Sequence, residues 1–226
     1  AGLLALREAA RDAGIIIPRP YVLGSLPENK GSFLVMDHLK FIPFGPSIPK
    51  VTERLGRGLA LMHNCAVPPR ELVLPGSEPA GELGPYGFHG QRTFLGGSLQ
   101  GNDPCGDFAE FFVEHRLRPQ LERASLKFQF RYGTSNEDST ALSRLYEGVL
   151  RRAAQVLEPV RHCPASLLHG DLWTGNTGAD AAREPIIVDP ACWHGHAEFD
   201  ISISRLFGRF PDKFYEAYHE VNPKAP

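Results

Sequence analysis

The sequence predicts an α+β fold, because a β-hairpin pattern near its beginning is followed by several segments with helical periodicity. Two β-rich runs, Tyr21–Gly24 and Ser32–Met36, flank a segment rich in Pro, Asn and Gly, a composition that favours a turn. Apolar residues recur at helical spacing in four other stretches. The predicted helices cover about Gly2–Ala13, Lys50–Cys65, Phe108–Leu121 and Thr140–Leu157.

The segments between these elements are predicted from their helix breakers and polarity. Gly14 should end the first helix, and Pro119 is a weak stop in the third. Three breakers in Phe41–Pro46 predict a linker, and the many Gly and Pro residues of Pro68–Pro104 predict an extended loop. The polar run Arg131–Ser139 is expected to be a surface loop.

Composition excludes several classes of function. The chain has 226 residues and a formal net charge of -2, so it offers no electrostatic surface for nucleic acid or an anionic membrane. No apolar run approaches the roughly 20 residues of a membrane helix. Four widely spaced cysteines in a chain of this size favour a reducing compartment, and a cytoplasmic location is expected. The beginning, without methionine or a targeting pattern, indicates a chain entered midway.

The run His-Gly-Asp-Leu-Trp-Thr-Gly-Asn places a carboxylate and a carboxamide five positions apart. Asp171 and Asn176 follow an apolar run, with glycines at two turn positions. This is the spacing of a kinase catalytic loop. Asp171 could accept the proton of an attacking hydroxyl, and the side-chain oxygen of Asn176 suits Mg²⁺. His169 is expected to be structural, bonding the metal-binding loop.

A second carboxylate follows a short buried strand. Pro185–Val188 is an apolar run that ends at Asp189, where a metal held across the phosphates of ATP would need a ligand. An isolated Asp-Pro pair is usually a turn, and an isolated His-Gly-Asp is usually a loop. Their order, together with the upstream hairpin, favours a single kinase-like site.

These motifs resemble the fructosamine-3-kinase and ketosamine-3-kinase family. The catalytic-loop run and the later Val-Asp-Pro-Ala-Cys-Trp-His-Gly-His-Ala-Glu-Phe-Asp are similar to the family's signature, and Phe33–Leu39, Tyr86–His89 and Glu114–Leu117 resemble further segments. The resemblance covers about Ile17 to Pro226. Aminoglycoside phosphotransferases and choline kinases share the loop pattern, but they usually follow the metal-binding Asp with an aromatic and an acidic residue. Here Pro and Ala follow it.

The resemblance implies a protein-kinase-like fold that consists mostly of the helical C-lobe. Residues 1–40 would be a remnant of the nucleotide-binding N-lobe sheet and the hinge, and residues 41–226 the C-lobe. The implied reaction uses ATP and Mg²⁺ to phosphorylate the sugar 3-hydroxyl of fructosamine or ribulosamine adducts, which leads to protein deglycation. Substrates would be glycated proteins or small ketosamines. Asp171 would be the proton acceptor, with Asn176 and Asp189 holding metal.

The resemblance also assigns residues to the nucleotide and the sugar. Asp37, His38 and Leu39 would present hinge backbone groups to adenine. Trp173 and His196 would border the sugar, although Trp173 could equally be an aromatic residue packed under the catalytic loop.

Part of the kinase machinery is not visible. A Gly-rich loop and a strand lysine paired to a helix glutamate should precede the hinge, but Lys30 lies in a hairpin turn and Glu8 lies after the expected pairing position. Pro223–Pro226 resembles an internal segment of the family that leads into further helices. We therefore expect a sequence truncated at both ends. The alternatives are a degenerate, non-catalytic sugar-binding module and an aminoglycoside- or choline-kinase-like phosphotransferase.

Two other polar clusters receive structural interpretations. Cys192, His194 and His196 are spaced too tightly for the usual zinc ligands. Glu198 and Asp200 come at the start of an apolar helix, where carboxylates are favoured by the helix dipole. Capping is therefore their expected role.

Overall fold

The computed structural model describes residues 1–43, 49–65, 84–88, 90–133 and 135–224. The α-helices of these residues are α1 (Gly2–Ala9), α2 (Pro49–Asn64), α3 (Phe108–Phe112), α4 (Arg118–Tyr132), α5 (Asn136–Leu157), α6 (Glu198–Leu206) and α7 (Asp212–Val221). The strands are short: β1 (Pro20–Ser25), β2 (Ser32–Met36), β3 (Ile42–Pro43), β4 (Thr93–Leu95), β5 (Ser98–Gln100), β6 (Ser166–Leu168), β7 (Thr177–Ala179), β8 (Pro185–Ile187) and β9 (Trp193–Gly195). The predicted α+β class is confirmed.

The chain divides into two compact units. Unit 1 comprises Ala1–Pro79, Ser166–Trp193 and Ala197–Pro226, and unit 2 comprises Ala80–Ala165 and His194–His196. Unit 1 is thus assembled from three segments of the chain, whereas unit 2 is almost one continuous segment.

The core of unit 1 is built around α2. Leu55, Leu59 and Met62, which the sequence places on one helical face, are all buried, as that periodicity predicts. Gly56 on the same helix lies against the backbone carbonyl of Phe214 in α7, so closely that a β-carbon would collide with it. The absence of a side chain at Gly56 therefore lets α2 and α7 pack together.

Among the described residues, two small sheets lie wholly within unit 1. β1 and β2 form the predicted antiparallel hairpin, in which Leu23 lies opposite Leu34. β3, β7 and β8 form an antiparallel sheet in that order, and Ile16 adds a parallel bridge to Ile186 in β8. This bridge fixes the segment after α1 to the strand that leads to Asp189.

The end of α1 differs slightly from the prediction. The helix ends at Ala9 rather than Ala13, and a turn continues to Gly14, whose φ of +66° lies in the left-handed region. Glycine adopts this conformation without steric cost, so the expected stop at Gly14 applies to the turn rather than to the helix.

In unit 2 the predicted helix from Phe108 continues much further than expected. A π-helical turn, Val113–Leu117, joins α3 to α4, and α4 reaches Tyr132. The expected stop at Pro119 is wrong, because the proline lies in the first turn of α4, where its missing N–H is tolerated.

The next helix begins earlier than predicted. The Ser135 side chain accepts a hydrogen bond from Asp138 N, and Asp138 Oδ2 accepts one from Ser135 N, which together form a capping box. This cap starts α5 at Asn136 instead of Thr140, so the connection after α4 is shorter than the predicted loop Arg131–Ser139. None of the described helices is both long and apolar enough to cross a bilayer.

The predicted loop Pro68–Pro104 contains regular structure. β4 and β5 pair as an antiparallel hairpin, and Gly96 in its turn has a φ of +56°. Residues 66–83 and 89 lie outside the described residues, as do residues 44–48 of the predicted linker.

We predict that Gly56→Ala destabilises unit 1. The new β-carbon would meet the carbonyl oxygen of Phe214, a backbone atom that can move only if α7 shifts. Overpacking of this kind lowers the free energy of unfolding by about 1–3 kcal/mol. Denaturant-induced unfolding monitored by circular dichroism measures the loss.

Gly148→Ala is the matched control, because Gly148 lies within α5 and a β-carbon there meets nothing within 4 Å. It should leave stability unchanged or raise it by up to about 1 kcal/mol through helix propensity. Equal effects of the two substitutions would show that Gly56 is not required for helix packing.

Candidate active site

The predicted catalytic loop begins at the end of a buried strand in unit 1. β6 is buried along its length and leads directly to His169. Gly170 has a φ of +81°, and a β-carbon there would collide with the carbonyl group of Ala191. Ala191 N also donates to His169 O over 2.8 Å. Glycine is therefore required where the loop passes the segment after Asp189.

Asp171 and Asn176 contact each other directly. Asn176 Nδ2 donates to the backbone oxygen of Asp171 over 2.9 Å and to Asp171 Oδ2 over 3.1 Å. The Asn176 side chain is buried, whereas Asp171 is half-buried. These bonds orient the Asp171 carboxylate, and they leave the side-chain oxygen as the atom that Asn176 can offer to a metal.

Asp189 is joined to the same loop through its neighbour Val188. Val188 N donates to Asn176 O over 3.0 Å, and His169 Nε2 lies 2.9 Å from Val188 O. Asp189 itself is exposed and has a φ of +55°, a conformation that is uncommon outside glycine and often marks functional sites. The structure therefore bonds Asn176 to Asp171 through its side chain and to Val188, the residue before Asp189, through its backbone.

His169 has the structural role expected from the sequence. Burial lowers its pKa, which favours the neutral ring. Nε2 then donates to Val188 O, while Nδ1 lies 3.3 Å from Asp171 N and accepts from it. The ring thus connects the loop that carries Asp171 to the segment that carries Asp189.

Asp200 does not cap α6, and that expectation was wrong. The N-cap position is Ala197, with no side-chain capping bond. Asp200 is completely buried, and its two carboxylate oxygens accept from the backbone N–H groups of His169, over 2.7 Å, and Gly170, over 2.8 Å. It anchors the catalytic loop instead.

A buried chain of polar groups supports Asp200 from the side of α2. His63 Nε2 donates to Asp200 Oδ2 over 3.1 Å, and His63 Nδ1 lies 2.8 Å from the hydroxyl oxygen of Tyr218 in α7. Burial raises the pKa of Asp200, but the hydrogen bonds from His63 and Gly170 outweigh burial and hold the pKa below its usual value. The carboxylate is therefore ionised, and loss of a hydrogen-bond partner from a buried charged group costs more than the about 1–3 kcal/mol typical of a neutral one.

Sequence reasoning missed His63 and the role of Asp200, although each leaves a signal. His63 falls four residues after Leu59, on the apolar face of α2. Asp200 is followed by Ile201 and precedes an apolar helical pattern. A titratable residue on a buried face needs a partner, so this pairing could have been suspected.

The three predicted hinge residues follow β2. Asp37 N donates to Arg19 O over 2.9 Å, and the Asp37 carboxylate accepts from Arg19 N over 2.8 Å and from the Tyr21 hydroxyl. The Tyr21 bond, followed by the Arg19 N–H, lowers the pKa of Asp37. His38 and Leu39 continue as irregular chain. Asp37 thus fixes the ends of the hairpin, a role that the sequence did not indicate.

Trp173 lies over its own loop and is partly exposed. Its ring occupies the space that a β-carbon on Gly175 would need, and 38% of the residue is accessible to solvent. The structure is compatible with both interpretations of Trp173, packing against the loop and contact with a ligand.

His196 belongs to unit 2. Its ring centroid lies 5.8 Å from that of Phe108, and the residue is half-buried. Its neighbour His194 is paired with Gly87 through two backbone hydrogen bonds.

The chemistry of Asn176 and Asp189 fits Mg²⁺. They offer a carboxamide oxygen and a carboxylate, which are the hard oxygen ligands that this cation takes. Within the described ranges, no cluster of three or more His, Cys, Asp or Glu residues could hold a metal. A cation at this pair would therefore complete its coordination with water and phosphate oxygens.

Comparison with known proteins identifies a family over the whole chain. The sequence model named Fructosamine kinase matches residues 1–226. A chloroplastic protein-ribulosamine 3-kinase of Oryza sativa subsp. indica is 37% identical over 214 residues, which cover 94% of this chain and 53% of the rice protein. The chain thus spans about half the length of the plant relatives that it matches.

Two solved structures resemble this chain in fold. The provisionally named fructosamine-3-kinase of Haemophilus somnus superimposes with a TM-score of 0.73 at 26% identity, covering 100% of this chain and 65% of that one. The aminoglycoside phosphotransferase APH(4)-Ia, at 11% identity and a TM-score of 0.51, covers 89% of this chain and 60% of its own and shares the fold alone. The chain has a protein-kinase-like α+β fold, and it belongs to the fructosamine kinase family.

Proposed function

We propose that the protein transfers the γ-phosphoryl group of ATP to the sugar 3-hydroxyl of a ketosamine, a step that leads to protein deglycation. The observation that carries this proposal is the contact of Asp171 with Asn176, together with the bonds from Val188, the residue before Asp189, to the same loop. A non-catalytic sugar-binding module would not need a half-buried carboxylate bonded to a carboxamide, with a second carboxylate directly after a residue bonded to that carboxamide's backbone.

Asp171 is proposed as the proton acceptor. The sugar 3-hydroxyl oxygen forms the new bond to the γ-phosphorus, the bond to the ADP oxygen breaks, and the hydroxyl proton passes to the Asp171 carboxylate. The amide of Asn176 orients this carboxylate. Asp200 attaches the start of the loop that carries Asp171 to the buried core and so keeps the loop in one position. A transfer reaction that depends on positioning requires this.

Asn176 and Asp189 are proposed as the metal ligands. Bound Mg²⁺ would neutralise negative charge on the ATP phosphates during transfer. The bond from Val188 N to Asn176 O keeps the two ligand-bearing segments at a fixed separation. The left-handed backbone at Asp189 turns the chain directly after β8.

The nucleotide-binding assignments rest on the family resemblance. We propose residues 1–40 as part of the nucleotide lobe with its hinge, and residues 41–226 as the C-lobe. Asp37, His38 and Leu39 would offer backbone groups to adenine. Because Asp37 N already donates to Arg19 O, the free N–H and carbonyl groups for adenine should come chiefly from the residues after it.

The substrate class is supported by the names of relatives, such as the rice protein-ribulosamine 3-kinase. Glycated proteins and small ketosamines both carry the required 3-hydroxyl. Trp173, with its partly exposed ring, and His196 are proposed to contact the sugar.

We predict that Asp171→Asn, made in the full-length protein, abolishes phosphoryl transfer. The substitution keeps the shape of the side chain but removes the proton acceptor, so kcat should fall at least about 100-fold while ATP affinity changes little. An ADP-release assay with a glycated lysine measures the rate, and calorimetry measures ATP binding.

Asp12→Asn is the control, because Asp12 is exposed in the turn after α1. It should retain full activity. An Asp171→Asn variant that turns over at the parent rate would remove Asp171 from catalysis. A full-length parent protein, with the Gly-rich loop and lysine that are not visible in this sequence, that binds ATP but phosphorylates no ketosamine would contradict the proposed substrate class.

We also predict that Asp189→Asn weakens binding of Mg-ATP. Asparagine tolerates the left-handed φ of +55° at this position, so the substitution removes a charge without straining the backbone. The affinity for Mg-ATP should fall about tenfold or more, whereas affinity for ATP in the presence of EDTA should not change. Titration calorimetry with and without Mg²⁺ tests this, and equal affinities of parent and variant for Mg-ATP would show that Asp189 does not hold the metal.

A further inference from the structure

Two locally unfavourable features coincide in unit 2. The helix from Phe108 to Tyr132 is interrupted by the π-helical turn Val113–Leu117, and within this turn Arg116 is only 6% exposed. π-Helical turns are rare and are found frequently at functional sites, and burial of a guanidinium carries a desolvation cost. Their coincidence indicates that the position of Arg116 matters for more than helix formation.

Arg116 is directed at one short loop. Nη2 donates to Asn102 Oδ1 over 2.7 Å, and Nη1 donates to Gly101 O and, over 3.1 Å, to His115 O. The guanidinium also lies 4.8 Å from the ring centroid of Phe111. Burial lowers the pKa of Arg116 to about 9, which leaves it charged at neutral pH. Its hydrogen bonds are therefore charge-assisted and stronger than those between neutral groups.

Asn102 is in turn hydrogen-bonded to two neighbouring segments. Its side-chain Nδ2 donates to Thr93 Oγ1 over 2.6 Å and to Gln91 O over 3.3 Å. Its backbone oxygen accepts from Phe88 N over 3.0 Å. Arg116 thus fixes the side-chain rotamer and the backbone position of Asn102, whose backbone oxygen binds Phe88 N.

Gly87 connects Phe88 to the segment that contains His194. Gly87 N donates to His194 O over 2.9 Å, and His194 N donates to Gly87 O over 2.7 Å. Gly87 has a φ of +99°, and a β-carbon there would come within 2.7 Å of Asn102 O. No side chain fits between Asn102 and the pair formed by Gly87 and His194, so a displacement of Asn102 is transmitted to His194.

We infer that Arg116 is a positioning residue that sets the placement of His194–His196, the part of unit 2 that carries the proposed sugar-contacting residue His196. The inference rests on the proposed function for its kinetic consequence, since it concerns binding of the ketosamine rather than of ATP. Its structural consequence, the order of the His194 backbone, can be measured independently of any activity.

The kinetic test compares Arg116→Met and Arg116→Lys. Methionine fills a similar apolar volume without charge, so the KM for a glycated lysine should rise about tenfold, while kcat and the KM for ATP change less than about threefold. Lysine keeps the charge but not the planar fork, and it should give a smaller increase. All assays are run below the unfolding temperature of each variant.

Arg118→Met is the matched control on the same helix. Arg118 lies two residues further on and forms surface ion pairs with Glu114 and Glu147, so its removal should leave both KM values within about twofold of the parent because exposed pairs contribute little. A rise in ketosamine KM equal to that of Arg116→Met would attribute the effect to the helix rather than to Arg116.

Hydrogen exchange provides the readout that does not depend on turnover. In Arg116→Lys and Arg116→Met, the amides of Phe88 and His194 should exchange at least about tenfold faster, while those of Val188 and Ala191 in unit 1 keep their protection. Unchanged protection at Phe88 and His194 would overturn the inference, as would a uniform loss of protection in both units. If the amides respond but the full-length parent protein phosphorylates no ketosamine, the positioning role stands and the proposed substrate fails.

Discussion

The arrangement of the candidate active site depends on one buried carboxylate. Asp200 accepts hydrogen bonds from two consecutive backbone N–H groups, those of His169 and Gly170, at the start of the loop that carries Asp171. A loop of this kind lacks a regular hydrogen-bonding partner for its backbone, and buried N–H groups must be satisfied. Asp200 supplies that partner from a helix, and His63 supplies the hydrogen bond that keeps the carboxylate ionised in a buried site.

The remaining geometry follows from short connections between neighbouring segments. His169, once its backbone is held, bridges to Val188 with its ring, and Asn176 bonds both Asp171 and Val188. The His169 ring and the Asn176 amide therefore each bond a nearby backbone oxygen, and Val188 N bonds Asn176 O. These groups are not held by long flexible side chains. Such contacts restrict motion with little loss of side-chain entropy, which suits a site whose chemistry depends on orientation.

The parts of this site that local sequence determines could be predicted, and the parts that depend on distant partners could not. Asp171, Asn176 and Asp189 are predicted to form one site because their spacing around turns and a short strand is itself informative, and in the structure Asn176 bonds both Asp171 and the residue before Asp189. Asp200 was misinterpreted because its role depends on contacts with residues about 30 positions earlier. The predicted helix end near Pro119 was wrong because a π-helical turn continues the helix into α4. The predicted helix start at Thr140 was too late because a capping box begins α5 at Asn136. Hydrophobic periodicity reports neither feature.

The division of unit 1 into three chain segments has a consequence for synthesis on the ribosome. The apolar face of α2 is covered by α7, which is made about 150 residues later. At roughly 5–20 residues per second, that face is without its partner for about 8–30 s. The segment of unit 2 from Ala80 to Ala165 emerges within this interval, so most of unit 2 is available to fold while unit 1 is still incomplete. Until α7 is made, the apolar face of α2, the helix that later supports the candidate catalytic loop through His63, is therefore open to non-native contacts.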